Sequence, residues 1–103
     1  MMYELNIQDQ TARLSGELTI YTAGEIKQRF AELPAGGTLD VDLSGVSEID
    51  SAGLQLMLLL KKKPDAEIRF VHHSAPVVRL VDLANLAGAL GDPMILSASA
   101  GKE

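Results

Sequence analysis

A serine that directly follows an aspartate, at the start of a leucine-rich segment, is the part of this sequence best suited to chemistry. The pair is Asp50 and Ser51, and the leucine-rich segment begins at Leu54. The Ser51 hydroxyl could cap a helix by accepting a hydrogen bond from a free backbone N–H group. It could also carry a phosphoryl group, because a helix N-terminus offers unpaired N–H donors and positive dipole density to an anion. Ser51 is therefore a candidate for a switch between two charge states.

Hydrolytic chemistry at Ser51 would require a base beside the hydroxyl. The two histidines, His72 and His73, are adjacent at the end of a predicted strand, and we expect both to lie in a solvated loop. Adjacent strand residues point to opposite faces, which makes them a poor pair of ligands for one metal ion. The chain has no cysteine and no phosphate-binding glycine loop. We expect no catalytic residue, no metal site and no cofactor; a small serine hydrolase using Ser51 is the least favoured alternative.

The composition limits the classes of partner. The chain has 103 residues, 47% of them hydrophobic, and a formal net charge of −5, as expected for one globular domain. An acidic chain lacks the basic face that nucleic-acid binding needs. We expect the one basic cluster, Lys61 to Lys63, to stabilise the C-terminal end of a helix. With no basic signal segment, and no apolar run near the ~20 residues that span a bilayer, we expect a cytoplasmic protein without direct membrane insertion.

Ser51 must be positioned by the strands that precede it and the helix that follows it. Alternating apolar and polar residues predict strands at residues 3–7, 11–18, 39–43 and 67–71, with a polar turn leading from the third strand to Ser51. Strand–helix–strand units imply parallel neighbours joined by right-handed crossovers. The predicted fold class is α/β: a small mixed sheet of four to five strands with helices packed on it. Met94–Leu96 would be the fifth strand, at an edge.

Three helices are predicted between and after these strands, in the order β-β-α-β-α-β-α. The first begins at Thr22, which forms a capping-box spacing with Glu25. The second runs from about Ala52, and its apolar residues fill an arc of about 200° from which Leu59 is excluded. The third begins near Ser74 with a proline in its first turn. We expect a single domain over residues 1–96 and a flexible tail over residues 97–103.

Three segments of the sequence are distinctive: Asp42-Leu43-Ser44-Gly45-Val46, Ile49-Asp50-Ser51-Ala52-Gly53-Leu54 and Leu14-Ser15-Gly16-Glu17-Leu18. Together they resemble the signature of the STAS domains, which are the bacterial anti-sigma-factor antagonists and their relatives. The resemblance extends over most of the chain, from about residue 3 to residue 90, and includes a last helix at residues 76–86. Thr19 is a departure, because the family usually has an aspartate there.

The resemblance implies that Ser51 is the phosphoacceptor of a regulatory domain. A partner ATPase of the histidine-kinase-like fold, such as an anti-sigma factor, would phosphorylate Ser51, and a metal-dependent phosphatase would remove the phosphate. The unphosphorylated domain would bind the partner and the phosphorylated domain would release it. Electrostatics also favours release on phosphorylation, because phosphoserine brings about −1.5 to −2 charges that are costly to bury under a partner. We therefore expect a protein-binding module of signal transduction and transcription regulation, and not an enzyme.

The expected partner surface combines the turn before the second helix with the exposed side of that helix. Its residues are Ser47, Glu48, Asp50, Ser51, Ala52, Gln55 and Leu59. Other proteins of the resembled family are constitutive subunits of lipid-transport ABC systems or are associated with chemotaxis components. Both of these roles stay open as alternatives to the phosphorylation switch.

Overall fold

The computed structural model describes residues 2–33 and 36–84. The elements along the chain are β1 (Tyr3–Gln8), β2 (Thr11–Leu18), α1 (Ala23–Ala31), β3 (Thr38–Ile49), α2 (Ser51–Lys61), β4 (Glu67–Val71) and α3 (Ala75–Leu83). The predicted order and the α/β class are confirmed. The predicted strand at Met94–Leu96 and the predicted tail at residues 97–103 lie outside the described residues.

The four strands form one mixed sheet in the order β1-β2-β3-β4. β1 and β2 are an antiparallel hairpin in which Leu5 lies opposite Leu14. β3 is parallel to both of its neighbours, β2 and β4. The parallel pairs are those predicted from the strand–helix–strand units, since α1 connects β2 to β3 and α2 connects β3 to β4. This connectivity places the N-terminus of α2 immediately after the carboxyl end of the central strand β3.

The core lies between one face of the sheet and the helices. Alternate strand residues are buried, as their period of two predicts: Leu5, Ala12, Leu14, Leu18, Val41, Leu43, Ile68 and Phe70. The helices contribute a second buried set: Ile26, Phe30, Leu54, Leu56, Met57, Leu60, Val77 and Val81. Ala84, the C-cap residue that follows α3, is exposed.

β3 is longer than the sequence predicts. We predicted that it ends at Leu43 and gives way to a polar turn, but it continues to Ile49. Two irregularities in its pairing with β2 explain the difference: Arg13 lies opposite Asp42 whereas Ser15 lies opposite Gly45, and a second shift follows Val46. Each extra residue interrupts the alternation that marks a strand. The strand therefore delivers its polar residues directly to the start of α2.

Candidate functional site

Asp50, and not Ser51, caps α2. Asp50 has extended backbone dihedral angles, φ −127° and ψ −172°, and its Oδ1 accepts a hydrogen bond of 3.1 Å from the backbone N–H of Gly53. Ser51 is the first residue of the helix and is exposed. The suggestion that Ser51 caps the helix is therefore wrong, whereas the helix begins within one residue of the predicted start at about Ala52. The carboxylate one position earlier satisfies the first-turn N–H group, which leaves the serine at the surface.

The second carboxylate oxygen of Asp50 connects α2 to the loop between β2 and α1. Asp50 Oδ2 accepts a hydrogen bond of 3.0 Å from the backbone N–H of Ile20. The backbone N–H of Asp50 also faces the carbonyl oxygen of Leu18, at 3.4 Å. One side chain thus fixes both the helix N-terminus and a loop that lies 30 residues earlier in the chain.

The loop between β2 and α1 is built on Thr19 and Thr22, both buried. The Thr22 hydroxyl accepts from the backbone N–H of Thr19 at 3.0 Å and donates to the carbonyl oxygen of Glu17 at 2.9 Å. Thr22 is the N-cap residue of α1 by position, but its side chain makes no hydrogen bond to the helix. The predicted capping box with Glu25 is therefore wrong, because the hydroxyl closes the preceding loop instead.

The exposed side of α2 carries Ser51, Gln55 and Leu59. These residues are four apart, so they form one line along the helix, and all three are exposed. Leu59 is 54% exposed, in agreement with its predicted position outside the apolar arc. It lies about 12 Å along the helix axis from Ser51, at about 1.5 Å per residue. Ala52 is partly buried and contributes less surface.

The N-terminus of α2 has acidic surroundings. Ser47 and Glu48 are exposed on the last part of β3, directly before Asp50. Glu48 lies opposite Glu17 in the parallel pairing of β2 and β3. The predicted residues from Ser47 to Ala52 thus follow one another across the junction of β3 and α2, and Glu17 of β2, which was not among the predicted residues, lies opposite Glu48.

Two apolar residues of this surface were missed by the sequence analysis. Ile20 and Tyr21 are 68% and 80% exposed in the loop that Asp50 holds. The sequence does contain a signal for this pair. The two residues lie between the predicted end of β2 and the start of the first helix, so neither element buries them. The hydrogen bond from the Ile20 N–H to Asp50 shows that their loop lies beside the start of α2.

Gly53 permits the close approach of α2 to β2. A Cβ atom at this position would overlap the carbonyl oxygen of Leu18. The first turn of α2 is therefore packed against the end of β2 with no room for a side chain. The glycine in the Asp50–Leu54 motif has a packing role that fixes where Ser51 is presented.

The two histidines differ in their surroundings, and His72 contacts a residue that is remote from Ser51. His72 is exposed and its Nδ1 lies 3.3 Å from Asp42 Oδ2. Asp42 is eight residues before Asp50 on β3, which corresponds to about 20 Å or more of strand. His73 is completely buried, so the expectation that both histidines are solvated is wrong for this residue. This placement does not provide the base that a serine hydrolase needs beside Ser51.

The Asp42 carboxyl is held in its charged form. Partial burial by itself raises the pKa of Asp42, but hydrogen bonds from the Ser44 backbone and hydroxyl, together with the His72 side chain, outweigh it and lower the pKa. The hydrogen bond from the Ser44 backbone N–H is 2.8 Å long. These contacts fix the bulged part of β3 and are remote from the N-terminus of α2.

Two of the three lysines at the C-terminal end of α2 bind to the protein itself. Lys61 Nζ donates a hydrogen bond of 2.8 Å to the carbonyl oxygen of Ile68, and Lys63 forms an ion pair of 2.9 Å with Asp65. Lys61 lies in the last turn of the helix, where a cation is favourable. Within residues 2–33 and 36–84, no cluster of three or more His, Asp or Glu residues could hold a metal ion. Over the same residues, no helix has the length and apolar character needed to cross a membrane.

A protein-family model described as "Mlab, STAS domain" matches residues 1–96. This range contains the strands and helices of the described residues, β1 to β4 and α1 to α3, and the surface around Ser51. No curated protein matches the chain significantly.

Proposed function

The chain belongs to the STAS domain family, and on this basis we propose that it is a regulatory module that binds a partner protein through the surface around Ser51. The observation that carries the proposal is the exposed Ser51 at the first position of α2, with the capping role already taken by Asp50. Because the Ser51 hydroxyl is not needed to cap the helix, it is available for modification. STAS domains are generally not enzymes, which agrees with the separation of His72 from Ser51.

Phosphorylation of Ser51 is the proposed switch. The N-terminus of α2 favours an anion, because the first N–H groups of a helix have no partners within the helix. The neighbouring side chains Asp50 and Glu48 oppose it, because phosphoserine adds about −1.5 to −2 charges beside two carboxylates. A partner that covers the neutral serine would have to bury this charge. We therefore expect phosphorylation to release the partner without unfolding the helix.

The proposed partner is an ATPase of the histidine-kinase-like fold, such as an anti-sigma factor, that phosphorylates Ser51 from ATP. A metal-dependent phosphatase would restore the unmodified serine. This pathway places the chain in the cytoplasm and in the regulation of transcription, with no contact to nucleic acid of its own. The net charge of −5 supports a protein partner over a nucleic acid.

The test is a phosphorylation assay read by intact mass. The chain and the Ser51→Ala variant are each incubated with ATP and the purified ATPase whose gene lies nearest in the source genome. We expect the mass of the chain with Ser51 to increase by one phosphoryl group and the mass of the Ser51→Ala variant to stay the same. Phosphorylation that persists in Ser51→Ala would place the phosphoacceptor elsewhere.

A constitutive role is the second candidate, either as a STAS subunit that contacts the ATPase of a lipid-transport ABC system or as a chemotaxis-associated regulator. The observation that favours it is Thr19, which stands where the family usually has an aspartate. The Thr19 hydroxyl donates to Glu17 at 3.4 Å and accepts from the Tyr21 backbone N–H at 3.3 Å, so it serves the loop. Stable binding to the ATPase without transfer of phosphate would favour this candidate.

A further inference from the structure

Two large apolar side chains extend into solvent beside the proposed partner surface. Ile20 is 68% exposed and Tyr21 is 80% exposed, and they are adjacent in the loop between β2 and α1. Single exposed apolar residues are common in soluble proteins. An adjacent isoleucine and tyrosine are a stronger signal, because tyrosine is enriched among the residues that dominate binding at protein interfaces.

The loop that carries this pair is rigidly hydrogen-bonded. The backbone N–H groups of all five residues from Thr19 to Ala23 have partners within the protein. The N–H groups of Thr19, Ile20 and Tyr21 donate to the side chains of Thr22, Asp50 and Thr19, in that order. The N–H groups of Thr22 and Ala23 both donate to the carbonyl oxygen of Thr19. A loop held in one conformation loses little entropy when a partner covers its side chains. The exposure of the apolar pair is thus a fixed property of the fold.

The apolar pair and Ser51 are connected through Asp50. Asp50 Oδ2 accepts from the Ile20 N–H at 3.0 Å, and Asp50 is bonded directly to Ser51 in the chain. Glu17 and Glu48 lie opposite each other in the adjacent strands. The surface therefore consists of the side chains of Ile20 and Tyr21, which form an apolar tip, next to the carboxylates of Glu17, Glu48 and Asp50.

We propose that Ile20 and Tyr21 are the apolar anchor by which the chain binds its partner, and that the partner is a protein with an apolar cleft edged by lysine or arginine side chains. This inference rests on the proposed function, because it assigns the anchor to the surface centred on Ser51. The cleft accommodates the two side chains, and the basic edge faces the carboxylates of Glu17, Glu48 and Asp50. An anionic lipid surface is a poorer match, since the same carboxylates would repel it.

The test measures affinity for the purified ATPase whose gene lies nearest to that of the chain. Tyr21→Ser and Ile20→Thr remove the anchor, while Leu83→Ser is the matched control, because Leu83 is 84% exposed on α3. We expect each anchor variant to weaken binding by about tenfold or more, as anchors at interfaces do. The control is expected to stay within about twofold, as a residue outside the interface does. Thermal unfolding of all three variants should match that of the unmodified chain, because each side chain is exposed.

Each result either supports or overturns the inference. Equal affinity of Tyr21→Ser and the unmodified chain would overturn it, and if Ser51→Asp still weakens binding the proposed function survives. No binding by the unmodified chain would end both proposals. Binding of the chain to phosphatidylglycerol vesicles, lost in Tyr21→Ser, would assign the tip to a membrane and overturn the protein partner.

A measurement without a partner tests the rigidity on which the anchor depends. Hydrogen exchange should show the amides of Ile20 and Tyr21 exchanging at least about tenfold more slowly than in an unstructured peptide. Exchange at the unstructured rate would overturn the inference, because a mobile tip is not a preorganised anchor.

Discussion

Asp50 sets the geometry of the site through its two carboxylate oxygens. One oxygen accepts from Gly53 and fixes the first turn of α2, while the other accepts from Ile20 and fixes the loop before α1. The serine that follows is thereby exposed and free of the capping role. A single carboxylate consequently couples the proposed phosphosite to the proposed apolar anchor.

Replacement of Asp50 tests this double role. Asp50→Ala should lower the free energy of unfolding by about 1–2 kcal/mol, because both an N-cap and a second hydrogen bond are lost. Asp50→Ser is the matched variant, since a serine hydroxyl also caps a helix but reaches only one donor. We expect Asp50→Ser to recover most of the stability in urea unfolding and still to accelerate hydrogen exchange at Ile20. Equal stability of Asp50→Ala and the unmodified chain would contradict the capping role.

The pH dependence of stability reports on a second residue, Asp42. Its pKa is lower in the folded chain than in the unfolded chain, where aspartate has a pKa of about 3.9. The folded state therefore gains stability above the unfolded pKa and loses it as the pH falls through the folded pKa. Urea unfolding between pH 6 and 3 should show a smaller acid-induced loss for Asp42→Asn than for the unmodified chain. Parallel pH profiles would contradict the assigned contacts with Ser44 and His72.

At the scale of elements, α2 has one buried side and one exposed side. Its buried side includes Leu56, which is 3% exposed, and its first turn meets β2 at Gly53. Its exposed side presents Ser51 and Leu59. The periodicity of the leucines was sufficient to place Leu56 inside the apolar arc and Leu59 just outside it, because burial follows the helical repeat. The start of the helix was not predictable in the same way, since aspartate and serine are both good caps.

Two glycines in helices should respond oppositely to alanine. A Cβ atom at Gly53 would overlap the Leu18 carbonyl oxygen, whereas nothing lies within 4 Å of a Cβ atom at Gly24 in α1. Gly53→Ala should destabilise the fold by about 2 kcal/mol or more, because backbone atoms have to shift. Gly24→Ala should stabilise it by about 0.4–1 kcal/mol through the unfolded state. Thermal and urea unfolding distinguish the two, and a stabilising Gly53→Ala would contradict the close packing of α2 on β2.

Leu59, which is exposed, and Leu56, which is buried, should also respond differently to alanine. Leu59→Ala should change the free energy of unfolding by less than about 0.5 kcal/mol, as surface changes usually do. Leu56→Ala should cost about 2–5 kcal/mol through lost burial and a cavity. If Leu59 belongs to the partner surface, its truncation should also weaken binding by more than about 1 kcal/mol. Equal destabilisation by both substitutions would show that α2 is buried on both sides.

For the whole molecule, the patterns that repeat were predictable and the local exceptions were not. Alternation and helical spacing gave the order of the elements, the mixed sheet and most of the core, because burial acts on every residue of a face. The extension of β3 to Ile49 depended on bulges that break the alternation. The loop of Ile20 and Tyr21 depended on a hydrogen bond to Asp50 across 30 residues of sequence, which no local pattern contains.

The molecule as a whole is interpreted as a rigid scaffold that presents one surface to a partner. β3 and α2 place Ser51, and Asp50 holds the loop of the apolar pair beside the start of α2. The affinity of this surface for the partner is the property that phosphorylation would change. Stability should change little, because a phosphate at the N-terminus of α2 is favourable to the helix dipole.

The most direct test compares the affinities of two forms of the chain for the same ATPase by calorimetry. One form carries phosphoserine at position 51, introduced during synthesis so that no kinase is needed, and the other is unmodified. The account predicts that the phosphorylated form binds at least about tenfold more weakly, because its added charge must be buried beside Asp50 and Glu48. Both forms should unfold at the same temperature within a few degrees. Equal or tighter binding by the phosphorylated form would contradict the proposal that Ser51 is a release switch.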